Sequence, residues 1–173
     1  MTLQAPVAPV ISVASLIAEQ EETSRRDREK AEHLERKQQE ELSAFKKRLD
    51  DFELTNDRIE AVIGRIRRAF ERGESELMLT SFPSTFCTDG GRAVNNADIP
   101  PINKPEPVPP GVTPEPEWLA TLPRGARVVY HYWEENLKPG GFQFTARIIN
   151  YKDGIPGDVG LFLTWPRSLT AQS

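Results

Sequence analysis

The chain has 173 residues, 22 basic and 26 acidic side chains, a formal net charge of −4 and one cysteine. That length suits one domain with an appendage, and the mild acidity gives the molecule as a whole no pull toward nucleic acid or an acidic membrane. A lone cysteine excludes an internal disulfide and favours a reducing, cytoplasmic compartment, and no stretch approaches the roughly 18 apolar residues of a membrane span.

Residues 1–18 read as a flexible arm. Ala5–Ala18 has about the length of a signal-peptide core, but no Lys or Arg precedes it and Pro6 and Pro9 interrupt it. From Glu19 to Glu53 there are 12 acidic and 9 basic residues. Glu21–Arg25, Glu22–Arg26 and Glu32–Arg36 are acid-to-base pairs four apart, each worth about 0.2–0.5 kcal/mol on an exposed helix. Between Gln20 and Gln39 only Ala31 and Leu34 are apolar, so this helix has little to bury.

Leu42, Phe45, Leu49, Phe52, Asn56, Ile59, Ile63, Ile66 and Phe70 then follow alternating steps of three and four. This is a heptad seam over 42–70 and the most specific periodic signal in the chain. Asn56 at an a position can fix register if the helix runs straight; alternatively Thr55 or Asn56 caps a second helix and the chain bends there. Apolar Val62 and Ala69 widen the stripe, which suits packing of Ile59–Phe70 on the chain's own sheet. Gly73 is placed to stop the helix.

Ser75–Phe82 reads as a strand. Thr85–Asn96 reads as a short helix, or as a loop because each of Gly90 and Gly91 costs a helix about 1 kcal/mol relative to alanine. Pro100–Pro116 holds eight prolines in 17 residues, an exposed polyproline-like excursion over 99–117 with Trp118 anchoring its far end. Thr121–Leu137 reads as a helix with Pro123 in its first turn and Leu122, Ala126, Val129, Trp133 and Leu137 on one face. Phe142–Tyr151 and Val159–Trp165 alternate as two strands of an antiparallel hairpin with a long turn. The tail after Pro166 frays.

The segments FPSTFCTDGGRAVNN (82–96) and GIPGDVGLFL (154–163) resemble short bacterial proteins with a comparable C-terminal half and no assigned activity. The resemblance covers roughly Glu74 to Trp165 without the proline-rich stretch, and it implies no catalytic residue.

Cys87 is the obvious nucleophile, but it needs a base or a positive field to lower its pKa. His33 lies on the solvated helix, and His131 lies on the polar stripe Arg127, His131, Glu134, Lys138, so a small buried thiol is the simpler reading. Gly90, Gly91 and Arg92 form an anion-binding candidate, a glycine nest with an added cation, though the motif lacks phosphate-loop spacing. Arg65, Arg67, Arg68 and Arg72 are a candidate nucleic-acid contact with a local charge of +3 after Glu71; charge runs more often solvate a helix. Tyr130, Tyr132 and Trp133 suggest a stacking platform, but aromatics at helical spacing are more often core. No cofactor or metal is expected, because one cysteine and two separated histidines fit no ligand spacing. Pro107–Pro110 has no flanking basic residue to orient it in a proline-binding groove.

The sequence therefore predicts an α+β protein: a long charged N-terminal helix, a small domain of about three strands over 74–165, and one or two helices on one face. The function expected is non-enzymatic assembly, with Leu42, Phe45, Leu49, Phe52 and Asn56 joining the chain to itself or to a protein partner. A nucleic-acid-contacting regulator and a small enzyme or anion binder at Cys87 and Asp89–Arg92 are the alternatives.

Overall fold

The computed structural model describes residues 11–97, 110 and 114–168. Most of the proline-rich stretch, the first ten residues and the last five lie outside the described residues.

Helix α1 runs from Val13 to Asp50. It starts earlier than Gln20, so Val13–Ala18 belong to the helix and not to an arm. Ser12 and Ser15 explain the start: each backbone N–H donates to the other's hydroxyl, at 3.2 and 3.0 Å, the reciprocal geometry of a capping box. The acid–base pairing also differs in detail, since Glu22 takes both Arg25 at 2.7 Å and Arg26 at 3.3 Å.

The helix does not run straight through Thr55. Thr55 is extended and its hydroxyl accepts from the Arg58 N–H at 3.3 Å, capping α2 (Asn56–Glu71). The 42–70 seam is therefore split between two helices, and Asn56 sits exposed in the first turn of the second. Gly73, at φ +75°, ends α2. The Gly73 N–H reaches Phe70 O and the Glu74 N–H reaches Ala69 O, each at 3.0 Å, which is a Schellman stop.

The contacts divide the chain after Phe45: one compact unit ends there and the other spans Lys46–Ser173. The second unit thus begins well before Glu74, because the end of α1 and all of α2 pack within it. Its sheet is antiparallel in the order β1 (Glu76–Pro83), β5 (Asp158–Thr164), β2 (Gln143–Ile148). Central β5 carries Val159, Leu161 and Leu163, all fully buried. Opposite them stand Leu77 and Phe82 on β1 and Phe144, Ala146 and Ile148 on β2. A bulge between Met78 and Thr80 leaves Leu79 unpaired, so Leu77 and Phe82 share a face despite their odd spacing. The turn between β2 and β5 is itself built: β3 (Tyr151–Lys152) and β4 (Ile155–Pro156) form a small ribbon across Asp153–Gly154. Both turn residues have positive φ, 52° and 77°, as a two-residue hairpin of this hand requires.

The region 85–96 is not one helix. A turn at Ser84–Phe86 and the short α3 (Arg92–Asn95) flank Gly90 and Gly91, whose φ of +70° and +88° break the run. Helix α4 starts at Arg124, directly after Pro123, and ends at Tyr132, followed by a π-helical turn over Trp133–Leu137. Trp118, Tyr130, Trp133 and Phe144 form one ring cluster, with centroids between 5.2 and 6.0 Å apart. Tyr130, absent from the predicted apolar face, is buried there because Trp118 reaches the helix from outside it.

Candidate functional site

Cys87 is buried. Burial, aided by the Asp89 carboxylate, pushes its thiol up to about 11, away from the range of a nucleophile at neutral pH. His131 is exposed on α4, with its ring 5.7 Å from Tyr130. Two outcomes follow for Cys87. Alkylation of the folded chain at neutral pH is expected to run on the order of 100-fold slower than that of a free thiol, because two pKa units remove that much thiolate. The folded pKa is raised, so stability is unaffected below the unfolded value near 9 and declines as pH climbs from there toward 11. Iodoacetamide labelling and urea titrations at pH 7, 9 and 10.5 check both.

The glycine nest already holds an anion. The Asp89 carboxylate accepts from the Gly91 N–H at 3.0 Å and the Ala93 N–H at 2.9 Å. An outside phosphate at Gly90, Gly91 and Arg92 would meet that negative charge first. Arg92 is exposed beside it.

The basic stripe on α2 is partly used within the domain. The Arg65 guanidinium donates to Met78 O at 2.7 Å and Leu79 O at 3.4 Å, so it ties α2 to the β1 bulge. Arg72 pairs with Glu74 at 3.0 and 3.2 Å, a bond that holds the Glu74 carboxyl below its usual range. Arg67 and Arg68 are exposed. Arg65→Ala is expected to cost about 1–2 kcal/mol, since a charged donor leaves two carbonyls behind. Arg67→Ala, on an exposed face, is expected to stay within about 0.5 kcal/mol in the same urea titration.

The aromatic platform is core. Trp133 is buried and its indole N–H donates to Phe142 O at 2.9 Å. Burial and the nearby Glu134 and Glu115 carboxylates push the Tyr130 phenol up, so it stays neutral. A cleft of about 310 Å³ lies between Phe70, Phe142, Trp165 and the Gly140–Gly141 backbone, and neither Cys87 nor any residue of the glycine nest or the basic stripe lines it. Among the described residues no cluster of His, Cys, Asp and Glu is arranged to hold a metal, and no helix is long and apolar enough to cross a membrane.

The assembly residues separate into two groups. Leu49 and Phe52 are half-buried within the second unit. There the end of α1 meets the start of α4: a β-carbon on Gly125 would stand 2.0 Å from Leu49 O and 3.0 Å from Phe52 Cβ, and Arg124 donates to Asp50 O at 2.9 Å. Arg58 also stacks over the Phe52 ring at 4.7 Å. Leu42 belongs to the first unit and is 46 % exposed, while Phe45 beside it is half-buried.

The first unit contains a surface the sequence reading did not extend to. No residue of α1 is buried. At 100° per residue, the positions between Val13 and Phe45 that share a face with Leu42 occupy a sector about 80° wide. Ten residues fall in it and only Asp27 is charged; fourteen of the other 23 residues in that span are charged. Leu16 and Leu34, at 51 % and 56 % exposure, are on this stripe with Leu42. A 3.6-residue period read N-terminally from Leu42 would have found it, where a strict seven-residue count drifts onto Glu35 and Arg28. No family model matches the chain, and comparison with curated proteins and with solved structures gives no match either.

Proposed function

We propose that this chain is a non-enzymatic interaction and assembly protein, in which α1 is the docking element and the Lys46–Ser173 unit is the body it carries. The observation that carries this reading is a 38-residue helix with no buried residue that nevertheless confines its leucines to one nearly uncharged stripe. A helix kept only as a solvated spacer gains nothing from that segregation, whereas a helix that pairs with another gains the burial of every residue on the stripe.

The rival readings find less support. The self-filled nest and the raised thiol argue against ligand chemistry at Cys87 and Asp89–Arg92. Arg65 and Arg72 are spoken for within the domain. Hydrogen exchange at graded dilution tests the docking reading. Amides of α1 between Glu19 and Phe45 are expected to lose protection as the chain is diluted from about 100 μM to below 1 μM, because a lone exposed helix opens locally at little cost. Amides of β5 are expected to keep theirs. Protection of α1 that stays the same across the whole range would contradict a helix that depends on docking.

A further inference from the structure

We infer that the occupant of the α1 stripe is a second copy of this chain, lying parallel and in register, which rests on the reading of α1 as a docking element. Two symmetric arrangements let one helix cover the whole stripe of another: parallel in register, or antiparallel about Glu29. The residues flanking the stripe distinguish them. In a parallel pair, a residue on one flank meets the residue five positions on from its equivalent in the other helix. Lys30 then meets Glu35 of the second copy, and Glu41 meets Lys46, each twice by symmetry, and no like-charged flank pair arises. The two contacts are eleven residues apart, three turns of helix, with their signs reversed. In the antiparallel pair like flanks face one another. Glu21 then meets Glu35, Glu19 meets Glu41, and Arg28 and Lys30 each meet their own equivalents, against two favourable pairs, Glu19 with Lys37 and Arg28 with Glu32.

One residue counts against the parallel pair. Asp27 lies in the stripe and meets Asp27 of the second copy. Two facing carboxylates cost the pair stability, but a single polar position in the seam also penalises slipped registers that would place it against a leucine. Gln20 and Gln38, also on the stripe, meet their equivalents and can pair amide to amide. Leu16, Leu34 and Leu42 each meet a leucine. The ten stripe positions from Val13 to Phe45 advance 32 residues in nine steps, about 3.56 per step, between the heptad and the straight helix, so the pair supercoils weakly.

Cysteine cross-linking on the full chain tests this, with Cys87 left in place because its burial keeps it unreactive. Gln38→Cys alone, under mild oxidation, is expected to yield a disulfide-linked dimer, and the parent chain none. An equimolar mixture of Gln20→Cys and Gln38→Cys chains is expected to yield only 20–20, 38–38 and no 20–38 product. A predominant 20–38 product would overturn the parallel register while leaving self-pairing intact. A single-chain mass by light scattering with no cross-link in either sample would overturn the second copy as occupant, and the docking reading would still be judged separately by hydrogen exchange. Glu41→Lys is expected to weaken dimerisation several-fold and Glu41→Lys with Lys46→Glu to restore it; failure of the double variant to recover would also count against this register.

Discussion

Gly125→Ala is expected to destabilise the Lys46–Ser173 unit by about 2–3 kcal/mol, an overpacking penalty of the ordinary size for a rigid neighbour. On an open helix the same change would be favourable by roughly 1 kcal/mol, because alanine has the better helix propensity, so the sign of the effect decides. Gly125 stands in the first turn of α4, where the backbone of α1 passes so close that the new β-carbon would lie 2.0 Å from the Leu49 carbonyl oxygen and 3.0 Å from its carbon. Backbone cannot swing aside as a side-chain end does. Relief requires the α1 terminus to move away, which breaks the 2.9 Å bond from Arg124 to Asp50 O and uncovers Phe52. Urea unfolding followed by tryptophan fluorescence measures the change. A more stable variant would mean that α1 and α4 do not meet at this point.

Leu34→Asp combined with Leu42→Asp is expected to abolish self-association. Burying a leucine is worth about 1.5–3 kcal/mol, and in a symmetric pair each substitution removes two. Four lost leucines, replaced by carboxylates on the seam, exceed what a helix pair of this length can spare. The variant is expected to be a single chain at every concentration up to about 100 μM, with less helix by circular dichroism. Its urea midpoint for the second unit is expected to be unchanged, because both leucines belong to the first. A variant that still dimerises would locate the contact elsewhere.

The elements written by local chemistry were legible in the sequence. Gly73 stops α2, and the alternation around Ala146 and Leu161 marks β2 and β5, whereas Pro123, expected in the first turn of a helix from Thr121, stands just before α4. Thr55 as a cap was legible as one of two readings, because the seam spacing through Asn56 was equally compatible with a straight helix. What escaped depended on partners distant in sequence. The bulge at Leu79 exists only relative to the register of β5. Tyr130 is buried because Trp118 and Phe144 close over it, and nothing within α4 announces that. At the candidate site, Asp89–Arg92 was legible as an anion-binding candidate, but that Asp89 itself fills the nest appears only when both N–H groups point at one carboxylate. The α1 stripe was missed because glutamine, serine and alanine between the leucines carry almost no hydropathy signal; absence of charge marks it, not presence of apolar residues.

The molar mass of the full chain by light scattering, from about 1 to 100 μM, tests the assembly account most directly. The account predicts twice the chain mass of 19.5 kDa at the upper end, falling toward one chain on dilution. A mass of 19.5 kDa throughout, with α1 protected from exchange at every concentration, would contradict it.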